Sequence, residues 1–209
     1  MKDKNKKVVD IYNKIAELYA KNYDTIDGEA DMMFPKTFLS YLHSKSSVLD
    51  VGCGTGFSAG WFVKNGMNVE GVDMSSSMIK IAKKNYPEIN FYLADMRTFK
   101  PKKNPDAVWA GYSLFHLKLK DFERTLRTIT SYLQKGGIFG LVMQEGTGEV
   151  EIVEPLLPEK NIYIHLYTVD ELSGILNKNG FKVLEHKIRK PIYPNEFNFN
   201  KILLITERL

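Results

Sequence analysis

Past residue 46 the chain alternates short apolar runs with amphipathic stretches, and that rhythm admits few folds. Residues 47–51, 68–72, 89–94, 107–113 and 138–143 read as strands. Between them, residues 57–65, 75–86 and 121–134 space their apolar side chains for a helix, with Phe122, Leu126, Ile129 and Leu133 on one face. The breaks fall at Asn65-Gly66, Pro87, Gly136-Gly137 and Asn179-Gly180, where a left-handed residue or a missing N–H stops a helix. Thr168 and Glu171 form a capping box that opens a further helix, and residues 181–188 and 201–207 read as the last two strands. Strands that alternate with helices pair in parallel, with helices covering both faces. The expectation is an α/β, doubly wound, seven-stranded and mostly parallel sheet.

Two helices are expected ahead of it. Residues 7–23 carry Val8, Tyr12, Ile15 and Tyr19 on one stripe, and residues 32–43 follow a break at Asp27-Gly28. Residues 145–166, with Pro155 and Pro158, read as a less regular insert. No repeat and no Gly/Ser/Pro-rich linker divides the chain. It is therefore read as one domain over residues 1–209: an N-terminal helical part (1–46) and a core (47–209) with the short insert.

Composition removes several function classes. The one cysteine, Cys53, permits no internal disulfide, which fits a reducing compartment. The N-terminus is polar and charged, unlike a secretory signal, and no apolar run approaches the roughly 20 residues of a membrane span. A cytoplasmic protein with no membrane partner is expected. The net charge of +4 comes without a basic stripe carrying interleaved aromatics, so a nucleic-acid partner is not expected. No metal site is expected, and no signal for oligomeric state is present.

The chemistry concentrates in Val48-Leu-Asp-Val-Gly-Cys-Gly-Thr-Gly56, a buried strand running into three glycines at spacing two. Glycine accepts backbone angles that other residues avoid, and its missing side chain lets a ligand press on the main chain. The spacing is not that of a dinucleotide fingerprint, since Phe57 stands where the third glycine would fall, and no G-K-[ST] makes it a phosphate loop. Asp50, at the end of the strand, would repel a pyrophosphate but suits a ligand with an ammonium group. These features disfavour a nicotinamide oxidoreductase.

VLDVGCGTG resembles the first motif of the class I S-adenosylmethionine-dependent methyltransferases, a family with a Rossmann-like fold, and the resemblance runs from about Val48 to the C-terminus. It implies S-adenosylmethionine as cofactor, leaving as S-adenosylhomocysteine. It also implies roles for single residues. Asp50 and the loop glycines Gly52, Gly54 and Gly56 would hold the amino-acid end of the cofactor. Asp73 would accept both ribose hydroxyls, which a carboxylate can do as a pure acceptor. Met74 would pack on the adenine, Asp95 would receive its amino group, and the Met96 N–H would meet a ring nitrogen. Tyr19 and Tyr23 on the first helix would form part of a lid.

Methyl transfer from a sulfonium asks the protein mainly to position the reactants and exclude water. The fourth strand and its exit, residues 106–117, would face the methyl group. This stretch lacks the Asn/Asp-Pro-Pro-aromatic run of members that methylate amide or adenine amines. His116 is the candidate general base, with a structural hydrogen bond as the competing role. Glu145, Tyr163, His165 and Tyr167 are further candidates for the acceptor pocket. The expected partner is a small-molecule methyl acceptor, with oxygen, nitrogen, sulfur and carbon all open as the acceptor atom. The alternatives are an RNA or protein methyltransferase and a non-catalytic S-adenosylmethionine-binding regulatory protein.

Overall fold

The computed structural model describes residues 4–24 and 29–209. Helices α1 (Lys4–Tyr23) and α2 (Glu29–Leu39) come first, followed by β1 (Ser47–Val51), α3 (Phe57–Lys64), β2 (Asn68–Asp73), α4 (Ser76–Asn85) and β3 (Asn90–Leu93). Next come β4 (Ala107–Gly111), a 3₁₀ turn (Leu114–His116), α5 (Leu119–Tyr132) and β5 (Ile138–Gln144). The chain closes with β6 (Gly148–Glu154), β7 (Leu157–Leu166), α6 (Val169–Lys178), β8 (Phe181–Arg189) and β9 (Lys201–Arg208). The expected break at Asp27-Gly28 lies outside the described residues.

Seven strands form one sheet in the order β3-β2-β1-β4-β5-β9-β8. The five from β3 to β5 pair in parallel, while β9 runs antiparallel to both β5 and β8. This is the seven-stranded, mostly parallel sheet expected from the alternation. Central strands are buried on both faces, and Ile202, Leu203, Leu204 and Ile205 of β9 are all inaccessible to solvent. Helix α5 presents Phe122, Leu126 and Ile129 to the sheet, also fully buried, at roughly 1.5–3 kcal/mol each.

The helix ends follow their local chemistry. Ser75 caps α4 by accepting from the Met78 N–H at 3.2 Å. Thr168 and Glu171 close the capping box on α6. Helix α2 starts and ends earlier than expected, and Pro35 inside it removes one backbone donor shortly before its end.

Residues 145–166 correct the expectation of an irregular insert. They build a separate two-stranded antiparallel ribbon, β6 with β7, turning at Pro155-Leu156. Pro158 sits within β7, a position open to proline because a two-stranded ribbon has free edges. The ribbon packs under α1, where Val8, Ile11 and Ile15 meet Ile162 and Tyr163. In this way α1, the ribbon and the 190–200 segment between β8 and β9 gather over the carboxyl ends of the parallel strands, where an open α/β sheet places its ligand.

Candidate active site

The glycine loop uses its three glycines for three different purposes. A Cβ on Gly52 would lie 2.2 Å from the Ser113 Cβ, so that glycine lets β1 and the exit of β4 approach. Gly56 caps the N-terminus of α3 with φ 84°, and a Cβ there would press on Phe91. Gly54, with φ 53°, faces open space: a Cβ there would meet nothing within 4 Å. It is the one of the three whose missing side chain leaves room for a ligand rather than for the protein itself.

Asp73, at the end of β2, reaches across to this loop. Its Oδ2 accepts from the Gly54 N–H at 3.0 Å and its Oδ1 from the Ser75 N–H at 2.7 Å. Burial still raises its carboxyl above the ordinary range against these backbone donors. Asp50 is buried with Oδ2 unpartnered, and burial, with Asp73 nearby, pushes its carboxyl up to about 8. A buried carboxyl lacking a donor beside an open glycine loop fits a ligand that brings an ammonium group.

Asp95 is held differently. Arg97 binds it in a fork, with Nε 2.9 Å from Oδ1 and Nη2 2.7 Å from Oδ2, and Arg97 Nη1 also reaches Asp121 at 3.2 Å. The pair, together with the Arg97 backbone N–H, lowers the Asp95 carboxyl against the opposing effect of burial. Its neighbour Met96 lines a cleft with Met74, Asp73 and Gly54. His116 is buried with both ring nitrogens engaged. Nδ1 lies 2.9 Å from the Tyr163 carbonyl, which only accepts, so Nδ1 carries the proton and Nε2 accepts from the Tyr12 hydroxyl at 2.8 Å. Burial brings this imidazole down to about 4.

Two cavities open on the loop. One, of ≈ 90 Å³, runs past Asp73, Met74, Met96 and His116. The other, of ≈ 200 Å³, lies over Asp50, Cys53 and Thr55 and extends toward β6, β9 and the 190–200 segment. Tyr12, Tyr19, Gly52, Gly54, Gly111 and Tyr112 line both, so the two form one cleft bent around the glycine loop. Helix α1 roofs it. Asn13 Oδ1 ties α1 to the start of α4 through Ser75 Oγ at 2.8 Å, Asp24 accepts from Thr55 Oγ1 at 2.6 Å, and the Tyr23 hydroxyl donates to the Asn195 carbonyl.

Residues 48–137, which span this loop and the parallel strands β1 to β4, match the family model of a methyltransferase domain. A ubiquinone/menaquinone biosynthesis C-methyltransferase (UbiE) of Campylobacter jejuni is 26% identical, covering 88% of this chain and 93% of its own. The domain match and the Campylobacter relative support a class I S-adenosylmethionine-dependent methyltransferase. Solved structures share the fold. A methyltransferase of Methanosarcina mazei superposes with TM-score 0.75 at 17% identity, over 83% of this chain and 97% of that one. The Burkholderia thailandensis 1,6-didemethyltoxoflavin-N1-methyltransferase gives TM-score 0.74 at 16% identity, over 100% and 91% of the two chains.

For a methyltransferase, the residues that sequence reasoning brought to the cleft and those it missed divide cleanly. Asp50, Gly52, Gly54, Asp73, Met74, Met96, Tyr19, Tyr23 and His116 all line one cavity or the other. Gly56 and Asp95 line neither. Glu145, Tyr163, His165 and Tyr167 also stay out of the acceptor-side cavity. Glu145 instead accepts from the Asn200 amide at 2.7 Å, and His165 stacks on Tyr167 with ring centroids 4.2 Å apart. The walls missed are Asp24, Gln144, Glu154, Arg189, Glu196 and Lys201. Only Glu154 left a local signal: Val150, Ile152 and Glu154 alternate along β6, so the period of two sets the glutamate on the inward, apolar face.

Proposed function

We propose that this methyltransferase transfers the methyl group to a small-molecule acceptor seated in the larger cavity. One observation carries the reading: the two cavities share six lining residues at the glycine loop, so a donor on the loop and an acceptor beyond it occupy contiguous space. When bound, S-adenosylmethionine supplies an electrophilic methyl on a sulfonium, and what remains for the protein is placement and the exclusion of water.

The residues present suit that group. Asp50 would face its ammonium and Asp73 its ribose hydroxyls, with Gly54 leaving room for the chain between them. Met74 would pack on the adenine, and the Met96 N–H would meet a ring nitrogen. Asp95 keeps acceptor capacity beyond its Arg97 fork for the adenine amino group. Tyr19 and Tyr23, on the roof formed by α1, would close over the cofactor once it is seated. His116 acts as a positioning residue in this scheme. Its two hydrogen bonds fix Tyr12 of α1 to the backbone of β7, which joins the roof to the ribbon.

A small acceptor is supported by the enclosure that α1, the ribbon and the 190–200 segment provide. The Campylobacter relative is named for ubiquinone and menaquinone biosynthesis, and the Burkholderia neighbour for 1,6-didemethyltoxoflavin.

Calorimetric titration with S-adenosylhomocysteine and NAD tests the donor half. Micromolar binding of S-adenosylhomocysteine without NAD binding is expected. Asp73→Ala removes acceptors worth about 4 kcal/mol together, so affinity should fall by roughly 1000-fold. Preference for NAD, or an unchanged Asp73→Ala, would overturn the reading.

A further inference from the structure

The acceptor end of the cleft carries more buried hydrogen-bond acceptors than donors to match them. Glu154 is 4% exposed, and its Oε1 accepts from the Leu156 N–H at 3.2 Å while Oε2 has no donor. Gln144, 2% exposed at the end of β5, likewise has an unpartnered Oε1. Asp24 Oδ1 accepts from the Thr55 hydroxyl, and its Oδ2 has no donor among the described residues. All three residues line the same cavity. Leaving a buried polar atom unmatched costs roughly 1–3 kcal/mol, so an occupant that donates to these oxygens gains what the empty wall lacks.

The cations on the same wall are already committed. Arg189 holds Glu196 with Nη2 2.7 Å from Oε1, and also reaches the Tyr112 hydroxyl at 3.0 Å. The Lys201 ammonium donates to the carbonyls of Phe197 and Phe199, both at 2.6 Å, and lies 3.5 Å from Glu196. Among the described residues of this wall, two buried donors lack acceptors, Arg189 Nε and Trp109 Nε1. The indole N–H packs on its own strand, since a Cβ on Gly111 would lie 2.5 Å from it, which leaves the single Arg189 Nε. Net acceptor surplus, spent cations and flat apolar walls from Phe115, Phe197 and Tyr19 describe one kind of guest.

We infer that Glu154, with Gln144, selects a planar acceptor that carries no negative charge and presents an O–H or N–H at its edge. This deepens the methyl-transfer reading and rests on it. Burial pushes the Glu154 carboxyl above its ordinary range, as suits a wall that gains by receiving a donor.

Three size-matched probes test it: 7-hydroxyquinoline, 7-methoxyquinoline and quinoline-7-carboxylate, titrated into protein saturated with S-adenosylhomocysteine. The hydroxyl probe should bind about tenfold tighter than the ether, the worth of one hydrogen bond to a buried charged acceptor, and the carboxylate should bind weakest. Glu154→Gln keeps an oxygen for the Leu156 N–H and places an NH₂ where the free oxygen was. It should erase the hydroxyl preference while S-adenosylhomocysteine affinity stays within about twofold. Gln144→Leu, expected to halve the preference at least, serves if Glu154→Gln fails to fold. Equal affinities, tightest binding of the carboxylate, no binding of any probe, or a preference that survives the substitution would overturn the inference. Failure of S-adenosylhomocysteine to bind strikes the methyl-transfer reading instead, and the probe order is then read on the unloaded protein.

Discussion

Around the glycine loop the polar atoms are mostly backbone, and they are anchored within a few residues of the motif. Gly54 and Ser75 donate to Asp73, and Ser75 caps α4 immediately beyond. On the far side of the cleft the polar atoms are side chains delivered by α1, β5, β6, β8 and β9, and several of them lack partners. The first region is built like a scaffold and the second like a mould. Fixed backbone donors suit a ligand that is the same for every member of a fold. Side chains from late, separate elements can change one at a time without touching the sheet, and here specificity can vary while the donor site stays constant.

The sharpest break in that comparison lies within the loop itself. Gly52 and Gly54 both hold positive φ, at 75° and 53°, so alanine at either costs roughly 1–2 kcal/mol in backbone strain. Gly52→Ala adds a collision with Ser113 at 2.2 Å, for a total loss of about 4 kcal/mol in stability. Gly54→Ala meets only open space, so it should leave a folded protein whose S-adenosylhomocysteine affinity falls at least tenfold. Urea unfolding and calorimetry on both variants separate fold from site. Equal effects of the two on stability and binding would mean the loop is a single packing unit.

The same contrast decides how much the amino-acid sequence discloses. Asp50, Gly54 and Asp73 are legible because strand, loop and acidic residue lie close in sequence, and the sheet register then brings the strand ends together. The second region is assembled over long separations. Tyr12 meets His116, Tyr23 meets Asn195, and Arg189 meets Tyr112 across 104, 172 and 77 residues. Lys201 reads locally as the start of an apolar strand, and nothing near it announces that it is buried over Phe197 and Phe199. The ribbon looks irregular in sequence because its two prolines and its glutamates mask the alternation of Val150, Ile152 and Glu154. The glutamate that breaks the apolar face is the residue facing the cavity.

His116 bridges the two regions, and pH tests the bridge. Its folded-state value of about 4 lies below the ordinary 6.5, so between these limits the unfolded chain takes up a proton that the folded chain refuses. The stability this neutral imidazole contributes is complete above pH 6.5 and is lost as pH falls toward 4, by about 3 kcal/mol. Asp24, raised by burial to about 6, works in the opposite direction over part of the same window, because the folded chain holds its proton more tightly. Comparing wild type with His116→Gln in urea at pH 6.5, 5.5 and 4.5 cancels that contribution. Wild type should lose about 2 kcal/mol more than the variant between pH 6.5 and 4.5. Parallel losses would show that the Tyr12–His116–Tyr163 bridge tolerates a charge and so does not hold the roof to the ribbon.

Asp50 sits on the seam, at the foot of the larger cavity yet on the motif strand, and it gives the smallest effect. With its carboxyl raised to about 8, it is about 90% protonated at pH 7 in the free protein. An ammonium placed against it favours the charged form, so binding S-adenosylhomocysteine should expel that proton. Calorimetry in buffers of different ionisation enthalpy should record about 0.9 proton released per ligand at pH 7. Affinity should rise toward tenfold per pH unit between pH 6 and 8, or about 1.4 kcal/mol, and level off above. Asp73, which is also raised, can add to the release, so Asp50→Asn is the decisive control and should remove most of it. Proton release that persists in Asp50→Asn would assign the ammonium to Asp73 and place the amino-acid end of the cofactor on the other side of Gly54. That outcome would move the boundary between scaffold and mould by one strand and leave Asp50 among the unpartnered acceptors that face the methyl acceptor.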